Sequence, residues 1–324
     1  MTVQRQEEAL WPVRLQPGDR VRIVSPASTP CEEGVGRCVH IFETWGLRVE
    51  LGQHVFSRFG YLAGTDEERL ADLNDALRDE GVRAVFASRG GKGSYRIANR
   101  LDFAAAARNP KFVVGFSDVT AIHLALYNVC RLVGIHGPLS SWSSEIIGPE
   151  SVKALRLALM TDDAIVVHAD PSESTFSLTT HGRAVGRLIG GNLDTLAICA
   201  GWALPRLEGC ILLIEAVEQG FGHVDRQLTM LANAGHLRGL QGVAVGQFTK
   251  FGTHESGWTI IDVLRHHLCL YGVPILGGLP IGHGTNPRTL PIGATVVLDA
   301  DVATLQVVSG KKLESDLLPE TVAS

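Results

Sequence analysis

The chain has 324 residues, 45% of them hydrophobic and 19% charged, which is the make-up of one large globular domain or two ordinary ones and not of a disordered or fibrous chain. Twenty-nine basic residues against 34 acidic ones leave a net charge of −5, so the basic footprint of a nucleic-acid binder is absent. Apolar runs such as Cys210–Ile214 and Thr295–Leu298 fall far short of the roughly 20 residues of a membrane span, so neither nucleic acid nor membrane is expected as a partner.

The first ten residues carry acidic side chains and lack the apolar stretch of a signal peptide. Cys31, Cys38, Cys130, Cys199, Cys210 and Cys269 form no Cys-x-x-Cys pair. Reduced thiols, most of them in the core, and a cytoplasmic location follow as expectations. From Gly18 the chain alternates and ends at Ser25-Pro26, the mark of a strand entering a loop. Glu33–Trp45 has helical spacing and Leu47–Leu51 reads as a second strand. Thr65 caps a predicted helix over 66–78, with Leu70, Leu73 and Leu77 on one face. Ala84–Ala87 and Phe112–Gly115 are β-rich runs, and the second leads into a helix over 119–129. Strands alternating with helices to about residue 140 predict a parallel α/β sheet.

Residues 144–182 lose that rhythm, contain Pro149 and Pro171 and carry a Ser/Thr cluster, and read as a linker. The expected division is therefore 1–143, a linker over 144–182, and a second domain over 183–324. The second half offers runs at 193–199, 210–216, 224–234, 242–248 and 260–268, the first and last of them helical in pattern. It closes with two β-rich runs at 294–298 and 304–308. No internal repeat of 20–50 residues is visible.

The most informative local feature is Phe112-Val-Val-Gly-Phe-Ser117-Asp118. A serine on a sharp strand-to-helix turn is held exposed above the sheet edge, beside the first unpaired N–H groups of the helix. Val119 stands where the usual hydrolase turn has its second Gly, and Ser117 reads equally well as a helix cap. Arg89-Gly90-Gly91-Lys92-Gly93 follows a strand and lets the backbone approach a ligand, or simply turns. Its spacing matches no nucleotide motif. Gly190-Gly-Asn192 precedes a helix and either presents Asn192 to a substrate or makes a turn.

Glu215 follows four aliphatic residues and, if buried, needs a donor such as a histidine. Glu218 is the second candidate acid. His283 sits between two glycines in a Pro/Gly-rich loop, the kind of place where catalytic groups gather. His123, His266 and His267 have no companions at metal spacing, so no metal site is assigned. Ser117, Glu215 and His283 stand in the order nucleophile, acid, base, an order that does not by itself establish geometry.

With these residues in view, the chain resembles the LD-carboxypeptidase family of serine peptidases, which also includes the microcin C immunity peptidases. The matching pieces are Ser25-Pro26-Ala27, Tyr61-Leu-Ala-Gly-Thr-Asp-Glu-Glu-Arg, Arg89-Gly-Gly-x-Gly, Gly115-Phe-Ser117-Asp118-Val-Thr, Gly137-Pro138, Gly190-Gly-Asn-Leu, Ile214-Glu215, and Gly282-His283 with Pro291-Ile-Gly. They run in order from about residue 20 to 300.

The resemblance implies an α/β protein with a doubly wound, parallel-sheet N-terminal domain carrying Ser117 and a β-rich α/β C-terminal domain carrying Glu215 and His283. It implies a cofactor-free Ser–Glu–His triad, with an oxyanion hole from the backbone N–H groups of Asp118, Gly90 and Gly91. Arg89, Lys92 and Asn192 are the candidate substrate-binding residues. A small peptide, the D-Ala-terminated murein tetrapeptide, is the expected substrate, and a homodimer is expected.

The sequence departs from the family pattern at Lys92, where an aromatic residue is frequent, and in the Ala-Val-Glu-Gln-Gly-Phe-Gly-His run after Glu215. Both departures keep open an immunity-type amidase acting on a toxic aminoacyl-nucleotide. A non-catalytic binding protein on the same scaffold and a nucleotide-dependent enzyme using the Gly90–Gly93 loop are the readings from other classes.

Overall fold

The computed structural model describes residues 8–138 and 146–308. The expected division after residue 143, the first two linker residues and most of the acidic N-terminal stretch lie outside the described residues. The fold is α/β with two sheets. The first contains β1 (Arg20–Val24), β2 (Arg48–Leu51), β3 (Val82–Ala87), β4 (Phe112–Gly115) and β5 (Gly134–His136). These run parallel in the order β2-β1-β3-β4-β5.

Helices cover both faces of that sheet, so its central strands are apolar throughout; every residue of Phe112–Gly115 is buried. Val35 and Phe42 of α1 (Glu32–Thr44) pack against Ile23, Phe86 and Val114 on one face. Leu73 and Leu77 of α2 (Asp66–Arg78) pack with Val85 and Val113 on the other, beyond the short α3 (Phe103–Arg108). Ile122 and Leu126 of α4 (Thr120–Cys130) share that second face. Thr65 caps α2 in a reciprocal box: Glu68 N–H donates to its hydroxyl at 3.2 Å, and Thr65 N–H donates to the Glu68 carboxylate at 2.7 Å.

The stretch read as a linker carries regular structure. Pro149 is the first residue of α5 (Pro149–Met160), where a missing N–H costs nothing. Leu155 and Leu159 of that helix join α1 on the first sheet. After α5 comes β6 (Val166–His168), an outer strand of the second sheet.

That second sheet also holds β7 (Arg183–Asn192), β8 (Cys210–Val217), β9 (Gly242–Thr249) and β10 (Ile275–Leu276), all parallel. The chain then crosses to the first sheet as β11 (Leu290–Ile292), antiparallel to β5. It returns as β12 (Thr295–Asp299), antiparallel to β7, and β13 (Thr304–Val307), antiparallel to β12 and β6. Between these strands lie α6 (Leu193–Cys199), α7 (Phe221–Asn233) and α8 (Ile260–Leu268).

One apolar cluster runs from Val85 and Ile122 through Leu193 and Leu196 to Leu212 and Ile214, so the two halves share a core. All six cysteines are free thiols; Cys38, Cys199 and Cys210 are buried, whereas Cys31 and Cys269 are exposed.

Candidate active site

Loops at the carboxyl ends of parallel strands converge where strand order reverses, and ligand sites of open α/β sheets lie there. In the first sheet that place is the boundary of β1 and β3. The glycine loop of residues 89–93 leaves β3, and the Ser117 turn leaves β4. The carboxyl ends of β7 and β8 bring Asn192 and Glu215 from the second sheet, where they are paired neighbours.

Ser117 has φ +62, a left-handed conformation that costs a non-glycine residue roughly 1–3 kcal/mol. A single turn, Ser117–Val119, runs directly into α4. Asp118 is buried, and its carboxylate accepts the Ser94 backbone N–H at 2.7 Å. The Ser94 hydroxyl donates to the Asp118 carbonyl. Burial pushes the Asp118 carboxyl up to about 6, against the pull of the Ser94 hydrogen bonds. These bonds tie the Ser117 turn to the glycine loop.

Glu215 is completely buried in the carboxyl-terminal half of β8, and the His283 Nδ1 lies 2.6 Å from its Oε2. A carboxylate only accepts, so Nδ1 carries the donated proton and Nε2 is left as the basic nitrogen. Burial works to raise the Glu215 carboxyl. The His283 ring, together with His136 and the Asn192 amide, outweighs it and holds the group below the usual glutamate value. The Phe116 ring, next to Ser117 in the chain, packs 4.9 Å from the His283 ring.

A cavity of about 650 Å³ opens at this junction. Arg89, Gly90, Gly91, Lys92, Phe116, Ser117, Asp118, Asn192 and His283 form part of its wall. Glu215 does not reach the wall; its partners His283 and Asn192 do. Arg89 donates to the Thr29 carbonyl at 3.2 Å. The Lys92 ammonium lies 3.0 Å from Asp194, which also accepts from Gln227 at 2.8 Å. Burial would lower the Lys92 ammonium, but Asp194 raises it. Asn192 caps α6 by accepting the Thr195 N–H at 3.3 Å.

Sequence reasoning missed Asp194, Thr195, Gln219 and His223, which also line the cavity. Asp194 had a usable signal, since it lies in the first helical turn after Asn192. Gln219 and His223 had none beyond their place in the departing run after Glu215. Glu218, the second candidate acid, is at the rim, exposed and 3.1 Å from Lys250. His123 is buried on α4 against the first sheet, its Nε2 3.0 Å from the Val113 carbonyl. Among the described residues, no three His, Cys, Asp or Glu side chains gather as a metal site.

A serine and an imidazole thus line one cleft of an α/β fold, with a buried carboxylate bonded to the imidazole behind its wall. Residues 21–137 match the LD-carboxypeptidase N-terminal domain, and residues 185–298 match the LD-carboxypeptidase C-terminal domain. The probable murein peptide carboxypeptidase of Bacillus subtilis is 33% identical over 304 residues, covering 92% of this chain and 94% of its own. The murein tetrapeptide carboxypeptidase of Pseudomonas aeruginosa is 31% identical over 308 residues, covering 93% and 99%. A solved MccF-like protein from Bacillus anthracis superimposes with a TM-score of 0.83 at 25% identity, covering 93% of this chain and all of its own. The chain belongs to the LD-carboxypeptidase family.

Proposed function

We propose that the protein is a cofactor-free serine carboxypeptidase that removes the terminal D-Ala from an L-configured residue of murein tetrapeptides. The observation that carries this reading is the 2.6 Å contact of His283 with buried Glu215, on the wall of the cavity that also exposes Ser117. In this mechanism His283 Nε2 takes the Ser117 proton as Oγ attacks the scissile carbonyl. Glu215 fixes the tautomer and stabilises the imidazolium.

Backbone N–H groups of Asp118, Gly90 and Gly91 receive the developing oxyanion, each donor worth roughly 3–4 kcal/mol. His283 then protonates the leaving amine, and water, activated by the same imidazole, releases the acyl group from Ser117. Arg89, Lys92 and Asn192 are the substrate-binding residues of this reading. Cytoplasmic residence and a homodimeric state belong to it as well. Among the described residues no helix is long and apolar enough to cross a membrane.

Mass spectrometry of the purified protein with L-Ala-γ-D-Glu-meso-diaminopimelate-D-Ala tests the reading, with Ser117→Ala as control. Loss of one alanine that the variant does not produce supports it; an intact tetrapeptide overturns the substrate. A second reading, an immunity-type amidase acting on an aminoacyl-nucleotide, is favoured by Lys92 on the cavity wall and by the likeness to an MccF-like protein. An intact tetrapeptide together with cleavage of an aminoacyl-sulfamoyl adenosine decides for it.

A further inference from the structure

His283 is held from both sides by features of two neighbouring strands. A Cβ at Gly282 would lie 2.8 Å from the Glu215 Oε2, so the loop presses directly on the acid of β8. On the other side Gly284 presses on the side chain of Gln247 in β9. The pairing of β8 with β9 shifts there: Ile214 faces Val245 and Ala216 faces Phe248, so Gly246 and Gln247 together oppose Glu215. This is a β-bulge, a device that re-aims a side chain and recurs beside active sites.

The bulge is braced by one segment. Thr175 donates to the Gly246 carbonyl at 3.0 Å, and Glu173 accepts from the Gln247 amide nitrogen at 2.6 Å. Glu173 accepts only, so it fixes which end of the amide faces it. The Gln247 Oε1 is thereby turned to the Gly284 N–H, which donates to it at 2.8 Å. The Gln247 backbone N–H meanwhile donates to the Ile281 carbonyl at 2.8 Å. Gln247 is 1% exposed, so its amide is shielded from water, and it holds the chain on both sides of His283.

We propose that Gln247 is a positioning residue for His283, re-aimed by the bulge opposite Glu215 and locked in one amide orientation by Glu173. This rests on the reading of His283 as the catalytic base. The clamp fixes the loop so that Nδ1 stays on Glu215 and Nε2 faces the cavity.

The test is made on the full chain, with thermal melting as the check on folding. Gln247→Leu is expected to lower kcat about 10- to 100-fold with KM within about threefold, because displacement of a catalytic group by an ångström costs on that scale. In the ligand-free enzyme, the far-downfield imidazole N–H resonance, assigned by its loss in His283→Ala and Glu215→Gln, is expected to broaden or vanish in Gln247→Leu. Gln247→Glu sets two carboxylates against each other and is expected to lose activity, the more so as pH rises. The exchange variant Gln247→Glu/Glu173→Gln restores one donor facing one acceptor and is expected to recover most of the loss.

A wild-type resonance and kcat in folded Gln247→Leu, or no downfield resonance in the wild type, overturns the proposal. If Gln247→Leu does not fold, an exchange variant no better than Gln247→Glu overturns it instead. The resonance needs no turnover. Failure of the tetrapeptide assay with the clamp signature present therefore counts against the substrate reading alone.

Discussion

Between Gly90 and Ser117 there is no room for one more carbon. A Cβ at position 90 would lie 2.8 Å from the Ser117 Cβ and 3.1 Å from its Oγ. The backbone of the glycine loop is therefore packed directly against the Ser117 side chain, a contact that any side chain at position 90 would break.

Gly90→Ala is accordingly expected to lower kcat/KM for the tetrapeptide by at least 100-fold, since the new methyl displaces either the serine or the N–H groups of the loop. Steady-state rates alongside a thermal melt check this. A folded Gly90→Ala enzyme with wild-type rates means that the loop does not shape the reacting centre.

Ser117→Gly is expected to abolish hydrolysis and to raise stability by about 1 kcal/mol. The residue sits at φ +62, where glycine is free of the left-handed strain that serine bears, less the extra chain entropy glycine brings to the unfolded state. Denaturant melts of the wild type, Ser117→Ala and Ser117→Gly measure the difference.

The two candidate acids are predicted to separate sharply. Glu215→Gln replaces the acceptor-only carboxylate that sets the His283 tautomer with a neutral amide that can also donate, and is expected to cost kcat about three to four orders of magnitude. Glu218 is exposed and paired with Lys250 at 3.1 Å, an interaction worth at most about 1 kcal/mol. Glu218→Gln is thus expected to stay within a few-fold of wild type. The reverse ranking in kcat moves the acid to Glu218.

Stability is expected to fall between pH 6.5 and pH 4. Burial pushes His123 down to about 3 and His136 down to about 4. Over that window the unfolded chain binds two protons that the native one refuses. Asp118, pushed up to about 6 by burial, opposes this, because below pH 6 the native chain binds a proton that the unfolded one lacks until about 3.8. Its burial cost therefore appears as pH rises and partly offsets the histidines. Each proton of difference is worth about 1.4 kcal/mol per pH unit. Urea melts of His136→Leu across this range are expected to show a slope flatter than wild type by that amount.

Much of the site was legible because each group sits where a regular pattern breaks. Ser117 follows a four-residue buried strand, Glu215 interrupts the apolar run of an eight-residue one, and His283 stands between glycines. Pattern breaks locate residues but not their partners, so the burial of Glu215 and its 2.6 Å contact with His283 had to come from the fold. Gln247 gave no signal at all. A glutamine in an apolar run is explained only by a loop 37 residues further on and a bulge that no local propensity encodes.

Pro149 reads as a breaker, yet as the first residue of α5 it begins a helix. The three residues of β11, one of them Pro291, are too few to show alternation, and their pairing with β5 is set by tertiary packing.

The crossing of β11 into the first sheet has a consequence for how this chain can be divided. His283 lies on the segment that leaves β10 in one sheet and reaches β11 in the other, so the imidazole is strung between both halves. A fragment ending near residue 138 lacks the strand that covers β5 and exposes a bare sheet edge. A fragment starting near residue 146 carries that strand with no sheet to receive it. Co-expressed halves should therefore find each other by donating β11 as a missing strand, and reconstituted hydrolysis would report the zippering of two polypeptides into one enzyme.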